Sequence, residues 1–234
     1  MVLYYYLILG GFKLKKILLF LLVLSISLAC LMTAIENSAY DKSYYLNAYE
    51  KYNIVKVTGK SIEELGIITD SLIDYLKGKG GDELLSPHFN EKEVLHMRDV
   101  QDLFDYARIV KYSSGALAII VLIYLSSKEG KQLIGKTLLF GLFANHIILL
   151  GATMLIATDF NKYFTIFHHI FFTNDLWLLN PATDLMIQML PEPFFSGMAT
   201  KIGLSFFIYL AILQLVGLYY LMKGRGKWKK NIKN

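Results

Sequence analysis

Four long apolar stretches constrain the fold of this chain more than any other feature of its sequence. They run approximately over Ile17–Ile35, Tyr112–Ser127, Leu133–Thr158 and Ile202–Met222. A membrane-spanning helix needs roughly 20 predominantly apolar residues, and the second stretch reaches that length if Arg108 and Lys111 extend to the interface. The chain is 55% hydrophobic and 18% charged, whereas soluble domains average about 45–50% and about 25%. The sequence therefore predicts an all-α integral membrane protein with four transmembrane helices.

The distribution of charge predicts how these helices are oriented. The N-terminus, the turn between the second and third stretches and the C-terminal tail together carry 12 basic residues and one acidic residue. The remaining loops carry 12 basic and 18 acidic residues, a net charge of −6 against +11. Because Lys and Arg concentrate in cytoplasmic loops, we predict cytoplasmic termini and a basic tail that touches anionic lipid. Nucleic acid is therefore not an expected partner.

These two patterns divide the chain into nine predicted segments. In chain order they are a cytoplasmic N-terminus (1–16), a first span (17–35), an extracellular cap (36–108), a second span (109–127), a cytoplasmic turn (128–132), a third span (133–158), an extracellular loop rich in aromatic residues and histidine (159–198), a fourth span (199–222) and a basic cytoplasmic tail (223–234). The single cysteine, Cys30, falls within the first span, so no disulfide framework is expected.

The cap is predicted to be mostly helical, with a short strand. Ser61 and Glu64 have the spacing of a capping box, and the GKGG sequence at 78–81 is a helix stop signal. Asn90 and Glu93 indicate a second helix start, and that helix can continue into the second span. The sequence NIVKVTGKS is typical of a short strand and turn. The tyrosines at the start of the cap, among them Tyr45 and Tyr49, are interpreted as an interfacial belt.

The segment Tyr163–Phe195 is the most unusual part of the chain. Its 33 residues include two of the five histidines, three of the four prolines and eight aromatic residues, with no Lys or Arg. Prolines interrupt it too often for a spanning helix, but its rings suit the membrane–water boundary. The adjacent His168 and His169 are therefore candidates for proton transfer.

A third histidine, His96, is predicted to lie at the same depth, one to two helical turns from the membrane. Its face of the second cap helix is otherwise apolar, so it is either a satisfied core residue or a functional one.

Asn145 and His146 lie near the middle of the third span, where we expect them to form an interhelical hydrogen bond. In the same span, Gly141 and Gly151 belong to a predicted seam of small residues.

Taken together, the sequences EVLHMRDVQDLF and FHHIFFTNDLWLLNPATDLMIQMLPEPFF resemble those of the lipoprotein intramolecular transacylases, a family of four-span proteins of the bacterial plasma membrane. The resemblance extends from the first span to the fourth. It implies an extracellular cap above four helices. It also implies that the sn-2 acyl chain of a diacylglyceryl-cysteine lipoprotein moves to the α-amino group of that cysteine, which gives a lyso-form lipoprotein. The implied partners are the lipoprotein N-terminus and membrane lipid, with no cofactor and no metal.

The resemblance also implies two catalytic histidines, and by motif these match His96 and His168. His169 is the alternative to His168, since a shift of one residue would exchange them. Histidine takes and gives protons near pH 7, and our working assignment makes His96 the base and His168 the acid and oxyanion partner. No GxSxG motif is present, and the substrate itself carries both the nucleophile and the ester, so no covalent enzyme intermediate is expected.

Further residues are predicted to support this pair. Asp175 either orients an imidazole or caps a helix that starts near Leu176, Asp184 is expected to cap a helix, and Arg98 pairs with a nearby acid. The aromatic residues are predicted to wall a pocket that excludes water: Phe167, Phe171, Phe172, Trp177, Phe194 and Phe195.

Three other functions fit parts of this pattern. His96, His168, His169, Asp175 and Asp184 could in principle bind a metal, although no HxxxH or HExxH spacing is present. The same histidines could serve a lipid hydrolase. A non-enzymatic transporter or assembly factor would instead use Asn145 and His146 as a polar path. The sequence does not predict an oligomeric state.

Overall fold

The computed structural model describes the backbone of residues 2–231 and the side chains of residues 13–223, and within this part of the chain it is helical without a strand. The helices are α1 (Val2–Ala39), α2 (Lys42–Lys51), α3 (Ile54–Thr58), α4 (Ile62–Leu76), α5 (Glu91–Glu129), α6 (Lys131–Lys136), α7 (Phe143–Thr158), α8 (Phe160–Phe171), α9 (Leu185–Met189) and α10 (Glu192–Asn231). A 3₁₀ turn covers Asp82–Leu84 and a π-helical turn covers Thr137–Gly141. The predicted lipid contact of the basic tail concerns side chains that mostly lie outside the described residues.

Four of these helices are long and apolar enough to cross a membrane, which confirms the prediction of four spanning helices. The candidate spans are Lys13–Ala39, Glu91–Glu129, Lys131–Thr158 and Glu192–Lys223. The first turns of α5 carry many charged residues, from Glu91 to Arg108. Because charge is costly inside a bilayer, the spanning part of α5 is its apolar second half, and His96 lies outside that part.

The chain forms two compact units. The membrane unit comprises residues up to 33, 109–152 and from 204 onward, and the second unit comprises residues 34–108 and 153–203. Both His96 and His168 belong to the second unit, whereas His146 belongs to the membrane unit.

In the membrane unit, glycines let helices approach closely beside buried side chains such as Leu22 and Leu142. A Cβ atom on Gly135 would lie 2.7 Å from the carbonyl oxygen of Gly217, and one on Gly141 would lie 2.6 Å from Val23 Cγ2. Gly151, by contrast, has no neighbour within 4 Å of such an atom. The predicted seam of small residues is therefore present at Gly141 but absent at Gly151.

The second unit is built around a buried apolar core to which tyrosines contribute. Tyr45 and Tyr49 are 4% and 0% exposed, so their interpretation as an interfacial belt was wrong. Tyr45 Oη donates to the carbonyl of Ala39 at 2.9 Å, and the hydroxyls of Tyr49 and Thr69 are 2.8 Å apart. Burial of these rings is tolerated because each hydroxyl has a hydrogen-bond partner.

Helix boundaries in the second unit follow the sequence signals closely. Ser61 and Glu64 form the reciprocal capping box, Gly78 adopts a φ of 71° just after α4, and α5 is continuous to Glu129. Asn90 and Glu93 also exchange reciprocal hydrogen bonds at the start of α5.

The predicted strand at NIVKVTGKS is wrong, because Ile54–Thr58 form the short helix α3. Left-handed residues stand at both ends, Asn53 with φ 54° and Gly59 with φ 68°. The hydroxyl of Thr58 donates to the carbonyl of Ile54 at 2.8 Å and closes the turn. One turn of β-branched residues between two such reversals has the same sequence pattern as a short strand, so the pattern could not separate the two.

Candidate active site

His96 lies in the second turn of α5, where the reciprocal Asn90–Glu93 bonds fix the start of the helix. It is 8% exposed, and the ring of Phe172 meets it edge-on at 5.3 Å between centroids. Its Nδ1 atom is buried and has no hydrogen-bond partner among the described residues. Burial, together with the neighbouring His168, lowers the pKa of His96 to about 4. The imidazole is therefore neutral at physiological pH, with a nitrogen available to a ligand.

His168 lies in the last turn of α8 and is 7% exposed. Its Nδ1 atom lies 2.6 Å from the carbonyl oxygen of Phe164, one turn earlier in the same helix. A carbonyl only accepts hydrogen bonds, so Nδ1 carries the proton and Nε2 carries the lone pair. Burial lowers the pKa of His168, the bond to Phe164 opposes this, and the adjacent His169 lowers it again. His168 is thus a neutral imidazole whose basic nitrogen is defined by the fold.

The structure brings these two histidines together from distant parts of the chain. The ring centroids of His96 and His168 are 6.2 Å apart and their planes are inclined by 32°. His169 is exposed, and its ring contacts the edge of Trp177 at 5.2 Å. Of the two adjacent histidines, it is therefore His168 that faces His96.

Aromatic rings surround His168 on several sides. Trp177 stacks on the imidazole at 4.7 Å with an interplanar angle of 27°, and Phe164 meets it edge-on at 4.4 Å. Phe167 and Phe172 contact it at 5.5 and 5.6 Å. Phe164 was missed by the sequence analysis, although its position four residues before His168 in a helix was a usable signal.

The six predicted pocket residues have different surroundings. Phe172 and Trp177 contact His168 directly, Phe171 is exposed and packs on Phe167, and Phe195 packs on Phe164 at 4.9 Å. Phe194 is instead a core residue, buried against Tyr44 and Tyr45 at 5.2 and 5.0 Å.

Among residues 13–223, two surface grooves lie away from the histidine pair. One, of about 640 Å³, is in the membrane unit and is bordered by Val23, Lys136 and Asn145. The other, of about 420 Å³, is in the second unit and is bordered by Tyr52, Pro181 and Pro193. The substrate pocket at the histidines therefore stays a prediction.

The carboxylates and the arginine singled out from the sequence do not contact either histidine. Asp175 is exposed and does not orient an imidazole among the described residues. It does not cap a helix either, because residues 172–184 form turns and no helix begins at Leu176. Asn174 occupies the turn instead, accepting from the backbone N–H of Leu176 and donating to Asp99. Arg98 pairs with Asp82 rather than with the acids of its own helix, whereas Arg108 pairs with Asp105 as expected.

Asp184 and Glu93 connect the turns at 172–184 to α5. Asp184 stands at the start of α9, but its carboxylate does not cap that helix. It accepts instead from the backbone N–H of Asn180 at 2.7 Å, the hydroxyl of Thr183 at 2.8 Å and the side-chain amide of Asn90 at 3.1 Å. The first of these bonds is the main reason that the pKa of Asp184 is lowered. Glu93 accepts from the backbone N–H of Met186 at 2.6 Å. Because Asn174 at the other end donates to Asp99, α5 holds both ends of this segment.

Asn145 and His146 do not form the predicted interhelical bond. Both contact the carbonyl oxygen of Leu142 in their own chain segment, Asn145 through Nδ2 and His146 through Nδ1, each at 3.4 Å. Leu142 directly follows the π-helical turn, which leaves its carbonyl accessible to the residues after it.

Within residues 13–223, no three His, Cys, Asp or Glu side chains are grouped as metal ligands would be.

Comparison with known proteins adds a family and a set of similar structures. The family model described as lipoprotein intramolecular transacylase Lit matches residues 20–195. Among curated protein sequences, none matches the chain significantly.

The similar structures are of the membrane-integral lipoprotein intramolecular transacylase Lit from Bacillus cereus. One is 27% identical with a TM-score of 0.82, and the match covers 91% of this chain and 98% of that one. A variant with a histidine replaced by arginine is 26% identical with a TM-score of 0.81, and that match covers 95% of this chain and 98% of the variant. A variant with a histidine replaced by alanine is 26% identical with a TM-score of 0.80, and that match covers 96% of this chain and 99% of the variant.

Proposed function

The chain belongs to the lipoprotein intramolecular transacylase family, and we propose that it moves the sn-2 acyl chain of a diacylglyceryl-cysteine lipoprotein to the α-amino group of that cysteine, with His168 and His96 as the catalytic pair. As a member of this family it is a membrane acyltransferase that acts on lipoproteins. The observation that carries the residue assignment is the 6.2 Å contact between two buried imidazoles, each with a nitrogen that no described residue occupies.

The reaction needs a base for the amine and a proton for the departing oxygen. The amine nitrogen attacks the ester carbon, a C–N bond forms, and the carbonyl π electrons move to oxygen. On collapse the carbonyl re-forms and the bond from acyl carbon to glyceryl oxygen breaks, so that ester and amine become amide and alcohol. One proton leaves the nitrogen and one reaches the glyceryl oxygen, so no external reactant is required.

The tautomer of His168 supports it as the base, the reverse of our working assignment from sequence. Its Nδ1–H is held by Phe164, so Nε2 is the nitrogen that can accept the amine proton. The low pKa of His96, about 4, makes that residue a weak base but keeps it neutral. In this proposal His168 accepts the amine proton and then gives it to the glyceryl oxygen, which lies beside the neutral His96. General acid–base catalysis of this kind typically contributes roughly 10²–10⁴ in rate.

The substrate supplies its own nucleophile and its own ester, so positioning is the other main task of the protein. Holding two reacting groups in the correct geometry can contribute roughly 7–11 kcal/mol. The rings of Phe164, Phe172 and Trp177 around His168 provide an apolar wall for the lipid and limit competing hydrolysis by water.

We also propose the orientation that the charge distribution predicts. Both termini would face the cytoplasm, and the histidine pair would meet its lipoprotein at the outer leaflet. Attaching a reporter enzyme at either terminus, or within the 59–60 turn, tests this. An N- or C-terminal reporter active only outside the cell would contradict the orientation without affecting the chemical assignment.

The experiment for the function is expression in a bacterial strain that lacks this activity, followed by tandem mass spectrometry of the N-terminal peptide of a lipoprotein. The wild-type protein should produce a peptide that keeps both acyl masses but carries one acyl group on the amine. His96→Ala and His168→Ala should produce no such peptide, whereas the control His146→Ala should retain it.

Other results would contradict the proposal in distinct ways. Loss of one acyl mass would identify a lipid hydrolase. An inactive His146→Ala beside an active His96→Ala would favour the transporter reading. Full activity of both His96→Ala and His168→Ala would overturn the catalytic pair.

A further inference from the structure

Trp177 carries a buried hydrogen-bond donor that the fold does not use. Its indole nitrogen, Nε1, is shielded from solvent and has no acceptor among the described residues. A buried donor without a partner costs roughly 1–3 kcal/mol. The carboxylates that hold this segment, Glu93 and Asp184, have partners for their oxygens. The Trp177 N–H, buried without an acceptor in the fold, is therefore available to a ligand.

The indole is also held firmly in place. Its face stacks on His168 at 4.7 Å and His169 meets it edge-on at 5.2 Å. The backbone carbonyl of Trp177 accepts from the backbone N–H of Leu179 at 2.9 Å. The carbonyl of Leu178 accepts from Lys92 Nζ on α5 at 2.6 Å. A donor fixed in this way needs no reorganisation when negative charge develops nearby, which is the property that makes an oxyanion donor effective.

This donor meets a need that His168, the proposed base, leaves open. When the ester carbon is attacked, its carbonyl oxygen becomes an oxyanion and requires an N–H or O–H donor. Neutral His168 cannot provide one, because its only N–H is bonded to Phe164 and its Nε2 carries a lone pair. The indole N–H next to it is a donor only, and it stays protonated at all relevant pH values.

We propose that Trp177 is a third catalytic residue, whose indole N–H donates a hydrogen bond to the acyl carbonyl oxygen as that oxygen becomes the tetrahedral oxyanion. This inference rests on the acyl transfer proposed above. The hydrogen bond forms as the C–N bond forms and weakens when the carbonyl re-forms and the bond to glyceryl oxygen breaks. The indole transfers no proton, so the proton path through the histidines is unchanged.

The test replaces the N–H while keeping the ring. Purified full-length protein with β-(3-benzothienyl)alanine at position 177 has a sulfur atom in place of N–H and a bicyclic ring of nearly the same shape. With a synthetic diacylated lipopeptide, we expect kcat to fall by about 10²–10³, the usual effect of losing one oxyanion donor, with KM within about threefold. Trp177→Phe should show the same loss of kcat. The matched control is Tyr106→Phe, which removes one polar group from an aromatic ring that is 66% exposed and should keep wild-type kinetics.

A second measurement does not depend on any variant of the site. The chain contains two tryptophans, so Trp228→Phe leaves a single indole resonance in a ¹⁵N-tryptophan sample. On addition of a lipopeptide analogue with an anionic phosphonate in place of the reacting ester, the indole proton should shift downfield, as a new hydrogen bond to an anion requires.

The outcomes separate this inference from the proposed function. If the wild type makes no N-acylated product, the proposed function fails. If the wild type is active but the benzothienyl variant keeps kcat within threefold, or the indole proton does not move with the phosphonate, Trp177 is not the donor and the histidine assignment stands.

Discussion

The membrane unit and the second unit are both helical, but different interactions hold them together. In the membrane unit, large side chains such as Ile120 and Ile148 are 65% and 68% exposed, and helices meet where glycines allow it. In the second unit, apolar side chains are buried and the tyrosine hydroxyls among them are paired. Lipid tails are as apolar as leucine, so association of helices in a membrane depends on close packing rather than on the hydrophobic effect. The second unit holds polar atoms, such as these hydroxyls, in a fixed and water-poor place.

Two histidines show what this difference means for function. His146 and His168 each direct Nδ1 to the carbonyl four residues earlier, at 3.4 Å and 2.6 Å. His146 in the membrane unit is half-buried, and its ring contacts Phe207 and Phe143. His168 in the second unit is buried and faces a second imidazole. The shorter bond and the neighbouring second imidazole favour His168 over His146 as the proposed catalytic residue.

The largest effect is expected where the membrane unit depends on close packing. Gly135→Val places a branched side chain against the carbonyl of Gly217, 2.7 Å from the first added carbon. We expect destabilisation of about 3 kcal/mol, the upper end of the usual range for overpacking. Gly151→Ala is the control, because its site is open, and it should be neutral or stabilising by up to about 1 kcal/mol. Thermal unfolding in detergent measures both. A Gly135→Val protein as stable as wild type would mean that close packing does not hold this unit.

The next effect concerns the water-poor setting of the second unit and depends on pH. The pKa of His96 is lowered from 6.5 to about 4, mainly by burial, so the unfolded chain binds this proton more readily than the folded one. The stability that His96 contributes is therefore present above about pH 6.5 and is lost as the pH falls towards 4. That shift corresponds to about 3 kcal/mol.

The measurement is the free energy of unfolding at pH 7.5 and at pH 4.5 for wild type and His96→Gln. Groups other than the histidine pair contribute similarly in both proteins, so the wild type should lose up to about 3 kcal/mol more than the variant. Equal losses would show that His96 is hydrated in the folded protein and that the second unit is less water-poor than its burial indicates.

The sequence predicted the elements that depend on local signals. Hydropathy located the four spans, and the capping boxes at Ser61 and Asn90 located two helix starts. These features succeed because a bilayer sets a minimum apolar length and because a cap is formed by residues three positions apart. The juxtaposition of His96 and His168 was expected from a common depth and from resemblance, not from any spacing in the sequence.

The remaining features depend on tertiary contacts that no local pattern carries. The sequence around Tyr49 is typical of an interfacial residue, because its hydrogen-bond partner, the hydroxyl of Thr69, lies 20 positions away. Arg98 has three aspartates on its own helix, Asp99, Asp102 and Asp105, but pairs with Asp82, 16 positions earlier. Asp175 and Asp184 each follow an Asn or Pro turn signal, yet only Asp184 is buried. Which polar residue is enclosed is decided by how segments meet, and the sequence does not report that.

That pair of aspartates gives a smaller test within the second unit. Asp184→Ala removes three hydrogen bonds, including one from Asn90, the residue just before α5. We expect destabilisation of about 2 kcal/mol, because the buried donors lose their acceptor, together with reduced activity as the segment bearing Trp177 loosens. Asp175→Ala is the matched control and should stay within about 0.5 kcal/mol of wild type, as exposed substitutions usually do. Chemical denaturation measures both, and equal stability of the two variants would argue against this network as the anchor of the segment.

The smallest effect should come from the capping box of α4, which tests whether the second unit relies on local signals as well as on its core. Ser61 Oγ accepts from the backbone N–H of Glu64 at 3.2 Å, and Glu64 accepts from the N–H of Ser61 at 2.8 Å. Ser61→Ala should cost about 1 kcal/mol, the usual effect of losing an N-cap. Ser86→Ala is the control, because its exposed hydroxyl has no partner among the described residues. Since α4 also buries Leu65 and Leu72, the helix should persist in Ser61→Ala, and hydrogen exchange should increase only in its first turn. Faster exchange along the whole of α4 would mean that the cap, rather than the core, keeps this helix folded.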